Sequence, residues 1–270
     1  MTAVGWRVSG FTELRELGTG AQGRVVLARH DKSGQAVAIK YVDGDASRLT
    51  PEADMLKRLS SPHVVRLYDF VASPEGAALL LEYVEGDTLG GILAAQGALS
   101  PESALSILKG SLLGLAAGHD LGIVHRDYKP DNVLVARADG RSKLADFGIA
   151  VDAGREGGAG TPSYMSPEQW RRGPATPATD VYAATCVFYE CVTGRRPFRT
   201  QARGESAIAD LGRQHTDAPI PMEGVPGELR QLVAWGMAKN PGQRPRGATA
   251  FVEELERTAV EVYGPDWELR

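Results

Sequence analysis

His125-Arg126-Asp127-Tyr128-Lys129-Pro130-Asp131-Asn132, followed by Asp146-Phe147-Gly148, is the stretch that decides how this chain is read. It sets two carboxylates, Asp127 and Asp146, and the carboxamide of Asn132 at the spacing of a metal-assisted phosphoryl-transfer site. Moving a γ-phosphoryl group takes cations to neutralise the phosphates and a carboxylate to orient the attacking hydroxyl and accept its proton. The Asp-to-Asn spacing alone reads as an Asx-rich surface turn. With His-Arg before it, Lys-Pro inside it and Asp-Phe-Gly after it, the pattern points to phosphoryl transfer.

Two further motifs precede it in order, Gly18-Thr19-Gly20-Ala21-Gln22-Gly23-Arg24-Val25 and Val37-Ala38-Ile39-Lys40. A lone Gly-x-Gly-x-x-Gly is weak and by itself reads better as a flexible hairpin turn. Here it lies between two strand-like runs and not between a strand and a helix. That context rejects a dinucleotide-binding βαβ site and favours a lid over phosphates. Lys40 sits inside the apolar run Ala36 to Val42, where an ammonium needs anions. In isolation it would be a strand lysine whose stem snorkels to water; the glycine loop in register before it reverses that weighting.

Together these motifs resemble the eukaryotic-type Ser/Thr protein kinases of bacteria, over roughly Phe11 to Val262. The resemblance implies an α+β, bilobal protein-kinase fold in a single domain: a small antiparallel β lobe with one helix (about 11–84) and a larger, mainly α-helical lobe (about 85–263). It implies Mg²⁺-ATP-dependent transfer of the γ-phosphoryl to Ser/Thr hydroxyls of a protein substrate, with autophosphorylation as one outcome. Asp127 would be the base, Lys129 would contact the γ-phosphate, Lys40 the α/β-phosphates, and Glu52 would pair with Lys40. Asn132 and Asp146 would hold Mg²⁺.

ATP would lie under Gly18, Thr19, Gly20, Ala21, Gln22 and Gly23, with Val25 and Ala38 above, Leu134 below, Leu81 at the back and the backbone of Glu82 and Val84 at the adenine. Gly160-Thr161-Pro162-Ser163-Tyr164-Met165-Ser166-Pro167-Glu168 resembles the segment that receives the substrate and marks Ser/Thr preference, with Thr161 bonding near Asp127 and Lys129. Glu168 with Arg244, and Asp180 under the catalytic loop, would be scaffold; His125 and Phe147 would pack with Leu56 and Leu67. The chain departs from the family pattern at Gln22, Tyr128, Ser166 and Thr185, none of them a catalytic position. The alternatives are a pseudokinase or nucleotide-binding scaffold, against which the full set of catalytic residues stands, and a small-molecule phosphotransferase, which lacks the Gly160–Glu168 segment.

The chain's 270 residues, 43% hydrophobic and 24% charged, suit one two-lobed globular domain with a sizeable core. A net charge of −4 gives no basic character to attract nucleic acid. Cys186 and Cys191 lie five apart in one apolar helical stretch, a spacing for neither a metal site nor a disulfide, and read as reduced thiols of a cytoplasmic protein. No stretch reaches the ~18 apolar residues of a membrane span. Whether Arg270 is a natural end or precedes an anchoring helix is left open.

Periodicity predicts hairpins around Asp31–Gly34 and Ser73–Gly76. Thr50-Pro51-Glu52 predicts a short helix from about Pro51 to Leu59, capped by the Thr50 hydroxyl. Ser100-Pro101-Glu102 opens a helix to Leu121 with a face of Leu105, Leu108, Leu112 and Leu115. Pro177 to Gly194 is apolar nearly all round, a buried helix, and Glu205–Leu211, Gly227–Ala238 and Ala248–Val262 also read as helical. Between Asp146 and Gly160 there is no Ser, Thr or Tyr. The resemblance implies that Arg126 is of the kind that pairs with a loop phosphate, so the expectation is activity without activation-loop phosphorylation, with Glu156 as counter-charge or Arg126 solvated.

Overall fold

The computed structural model describes residues 6–20, 23–43, 46, 49–147 and 160–269; the side chains of Glu52 and Leu269 are outside the described set. Residues 11–82 carry a five-stranded antiparallel sheet: β1 (Phe11–Gly20), β2 (Gly23–His30), β3 (Ala36–Asp43), β4 (Leu67–Ser73) and β5 (Gly76–Glu82), in the order β1-β2-β3-β5-β4. Helix α1 (Thr50–Lys57) is inserted between β3 and β4.

The two-residue period of β3 divides its side chains. Val37, Ile39 and Tyr41 join Val26, Ala28, Ala78 and Leu80 in one apolar layer, while Val42 joins Leu79 in the main core on the other side. Lys40, opposite Leu79 in register, therefore faces the main body of the molecule and is 7% exposed. Gly23, with φ of +114°, lets β2 approach β3: a Cβ there would lie 1.8 Å from the Tyr41 carbonyl oxygen.

Helix α1 starts within a residue of the expected Pro51, but its cap is not the expected one. Leu49 is the N-cap and makes no side-chain cap, and Thr50, already helical, donates its hydroxyl back to the Ala46 carbonyl at 3.1 Å. The helix also stops two residues short of Leu59, where Arg58 and Leu59 close tighter three-residue turns onto Met55 and Leu56.

Beyond Glu82 come β6 (Gly86–Thr88), α2 (Leu89–Gln96), α3 (Pro101–His119), β7 (Val133–Ala136) and β8 (Ser142–Leu144). Strands β6, β7 and β8 form a second antiparallel sheet. The Ser100 hydroxyl caps α3 by accepting from Ser103 N–H, and Leu105, Leu108, Leu112 and Leu115 are buried as expected. The remaining helices are α4 (Pro167–Trp170), α5 (Pro177–Thr193), α6 (Glu205–Asp217), α7 (Arg230–Gly236) and α8 (Ala248–Tyr263). Helix α5 is buried along nearly its whole length and closes at Gly194, left-handed at φ +70°.

Two departures from the family pattern have local explanations. Ser166 and Gln169 form a reciprocal capping box at the start of α4. Thr185 stands against Gly236 of α7, where a Cβ would meet Thr185 Oγ1 at 2.0 Å, so the extra side chain on α5 is accommodated by its absence on α7. Cys186 and Cys191 are free and buried, and burial pushes the Cys186 thiol up to about 12. Among the described residues no helix is long and apolar enough to cross a membrane.

Candidate active site

The loop between α3 and β7 is held from below by one carboxylate. Asp180, near the start of α5, accepts from the backbone N–H groups of His125 (2.8 Å) and Arg126 (2.9 Å) and pairs with His119 Nε2 at 2.9 Å. Arg126 is left-handed at φ +66°, a costly conformation for a side-chain-bearing residue. Gln169 of α4 secures its other side, donating to the Arg126 carbonyl at 3.0 Å. His125 packs on Phe147 with ring centroids 4.8 Å apart and bonds the Ala145 carbonyl at 3.0 Å, in the packing role expected of it.

This scaffold presents Asp127, 9% exposed, with each carboxylate oxygen partnered. Thr161 Oγ1 donates to Oδ1 at 2.8 Å and Lys129 Nζ to Oδ2 at 2.7 Å. Asn132 Nδ2 donates to the Asp127 carbonyl at 2.9 Å, which turns the carboxamide oxygen the other way. The Ala145 N–H donates to the Asn132 carbonyl at 2.9 Å, so Asp146 follows directly from a backbone bond to Asn132. Asp127, Lys129, Asn132 and Thr161 are thus one connected cluster.

Lys40 reaches across from β3 to Asp146, Nζ to Oδ1 at 2.8 Å. Asp146 is left-handed at φ +59°. The expected partner Glu52 is in the first turn of α1, but its side chain lies outside the described residues, as do Ala21, Gln22, Gly148 and the proposed Arg126–Glu156 pair. Of the glycine loop, Gly18 and Gly20 end β1 and Gly23 begins β2; Gly18 has open space where a Cβ would point, and Thr19 bonds Glu16 at 2.5 Å.

Val25, Leu81, Val84 and Leu134 are partly exposed and Ala38 is 8% exposed. Glu82 uses its N–H on the Arg66 carbonyl (2.8 Å) and its carboxylate on Lys143 (2.5 Å) and the Arg66 N–H (3.2 Å). Arg244, fully buried, forks onto both oxygens of Glu168 at 2.7 and 2.8 Å. Burial raises the Glu168 carboxyl, and Arg244 outweighs it, leaving the group below its ordinary 4.5. Gln169 and the Lys40–Asp146 contact were not foreseen; Ser166-x-x-Gln169 was the available signal for the first.

Among the described residues no group of three His, Cys, Asp or Glu could hold a metal by itself. The carboxylate and carboxamide oxygens of Asp146 and Asn132 do suit a hard cation that takes its other ligands from phosphate and water, as Mg²⁺ does.

The protein kinase domain model matches residues 11–255, and the chain belongs to that family. It is 38% identical over 249 residues to the serine/threonine-protein kinase PknL of Mycobacterium tuberculosis, covering 86% of this chain and 61% of PknL. It is 34% identical over 258 residues to PknD of the same organism, covering 89% of this chain and 38% of PknD. The chain therefore spans about 61% or less of the length of these relatives. Among solved structures, Rad53 1-466 in complex with AMP-PNP superposes with a TM-score of 0.78 at 25% identity, over 90% of this chain and 64% of that one.

Proposed function

We propose that the chain is an active Ser/Thr protein kinase catalytic domain that transfers the γ-phosphoryl of ATP to hydroxyls of a protein substrate. The observation that carries this reading is the Asp127 carboxylate, with one oxygen on Lys129 and the other on Thr161. A hydroxyl arriving between them meets a base already oriented, beside a cation suited to the charge that develops on the transferred group.

Asp127 orients the acceptor hydroxyl and takes its proton. Lys129 follows the γ-phosphate, and Lys40, brought out of the β-sheet to Asp146, pairs with the α/β-phosphates. Asn132 and Asp146 would hold Mg²⁺, which supplies charge neutralisation between the phosphates. Nucleotide binding is supported by family membership and by the AMP-PNP complex of the Rad53 structure. The adenine lies between Val25 and Ala38 on one side and Leu134 on the other, with the Glu82 carbonyl and the Val84 backbone at its edge.

Thr161 ties the Gly160–Glu168 segment to the base, which supports a peptide acceptor over a small molecule. Because residues 146–160 contain no hydroxyl side chain, activity does not wait on phosphorylation between Asp146 and Gly160. Incubation with labelled ATP and Mg²⁺ beside an Asp127→Asn control, followed by phosphosite mapping, tests the reading: label on Ser or Thr only in the wild type supports it.

A further inference from the structure

Arg195 and Arg196 are neighbours in sequence and take opposite partners. Arg195 turns to Glu223. Arg196 turns to the segment that carries Thr161: Nη1 donates to Ser163 Oγ at 3.1 Å, Nε donates to Tyr164 Oη at 3.2 Å, and the guanidinium carbon is 5.6 Å from the Tyr164 ring centre. Tyr164 donates in turn to Glu190 Oε2 at 2.6 Å, and the other Glu190 oxygen is 3.8 Å from Arg196 Nε.

The side chain of Glu190 is 15% exposed and that of Arg196 50%, so the charge this cluster shows to solvent is the arginine's. Asp131, exposed on the catalytic loop, is close enough to add its field to that of Tyr164 and Glu190 around the guanidinium.

These groups border the acceptor end of the site. Ser163 is two residues beyond Thr161, which holds Asp127, and Asp131 is four residues beyond Asp127. An extended peptide advances about 3.3 Å per residue, so side chains flanking a hydroxyl at Asp127 fall within reach of this rim. Without Arg196 the rim would carry two carboxylates, Glu190 and Asp131, and would attract a cation. With it, Glu190 is paired, and a basic side chain meets a like charge.

We infer that Arg196 is a specificity-determining residue that sets the peptide surface beside Asp127 against basic side chains and in favour of uncharged or acidic ones. The inference rests on the kinase reading above.

The test is a set of synthetic peptides with one Ser acceptor and Ala, Arg or Glu placed in turn at each of the three positions on either side, with kcat/KM measured for wild type, Arg196→Ala and Arg196→Gln. In the wild type, Arg at no position should improve on Ala. In Arg196→Ala, Arg at one or more positions should gain ~10-fold over Ala relative to wild type, the scale of uncovering a partly desolvated charge at a binding surface. Arg196→Gln keeps donors for Tyr164 and Ser163 without the charge and should shift the same way, which separates charge from folding. The Ala-flanked peptide is the internal reference, since a misfolded variant loses all peptides together. Superimposable profiles in wild type and Arg196→Gln would overturn the inference while leaving the kinase reading intact. No transfer to any peptide or to the protein itself by wild type would overturn both.

Discussion

Lys40 Nζ and Asp146 Oδ1 stand 2.8 Å apart, joining a buried strand lysine to a left-handed aspartate that begins the Asp-Phe-Gly motif. The pair holds the two halves of the candidate nucleotide site in register. Lys40→Met should therefore weaken ATP binding and lower phosphoryl transfer by at least ~100-fold, the scale of lost charge stabilisation at a reacting phosphate. A fluorescent-nucleotide titration and a label-transfer assay read the two effects separately; wild-type values in both would place Lys40 outside the site.

Asp180 is the acceptor for the backbone amides of His125 and Arg126 and pairs with His119, and it is 1% exposed. Asp180→Ala leaves those donors without their partner in a buried setting. Stability should fall by about 3–5 kcal/mol, and the strained Arg126 conformation should relax. Denaturant unfolding measures the first, and the kcat of any folded fraction should drop with it. An unchanged unfolding midpoint would mean the loop is held by other contacts.

Thr185 and Gly236 are 51 residues apart in sequence and meet between α5 and α7. Gly236→Ala should cost about 1–3 kcal/mol through overpacking, and Thr185→Gly should recover part of that loss in the double variant. Additive losses in a double-mutant cycle would show that the two positions do not share space.

Stability should depend on acid through two separate groups. Burial, with Lys239 adding to it, lowers His215 to about 3, so between pH 6.5 and 3 the unfolded chain binds a proton that the folded one refuses. Stability then falls as pH falls through that window. Glu168, held below 4.5 by Arg244, contributes stability that is present above that value and is lost as pH drops through its folded titration. His215→Gln should flatten the first limb and Glu168→Gln the second in unfolding free energies measured from pH 7 to 3.

The cluster of Asp127, Lys129 and Asn132 was legible because the three lie within six residues, and a loop of that length can bring them together only in a few ways. The hairpins, the leucine face of α3 and the buried α5 were legible from period and turn chemistry. What could not be read depended on partners distant in sequence or on runs too short to carry a period. Strands β6 and β8 are three residues each. Thr50 looks like a cap until Ala46 is seen to take its hydroxyl. The left-handed conformations of Arg126 and Asp146 carry no glycine to announce them. Ser166-x-x-Gln169 announces a cap, but not the distant Arg126 carbonyl that Gln169 also holds.

The loop between Asp146 and Gly160 has no residue to phosphorylate, so freshly purified, phosphatase-treated protein should transfer phosphate at the rate of untreated protein. Restoration of activity only after phosphorylation of Thr161 or Ser163 would contradict this. Glu156→Ala then asks separately whether a carboxylate supports Arg126: a several-fold lower kcat is expected, and unchanged kinetics would remove the pair while leaving phosphate independence in place.

The central claim is that Asp127 acts on the acceptor hydroxyl and not on the nucleotide. The measurement that tests it most directly sets calorimetric ATP binding beside label incorporation for wild type and Asp127→Asn. The account predicts ATP affinity within about threefold of wild type and label incorporation at least ~100-fold lower in the variant. Equal incorporation, or an ATP affinity lost together with turnover, would contradict it.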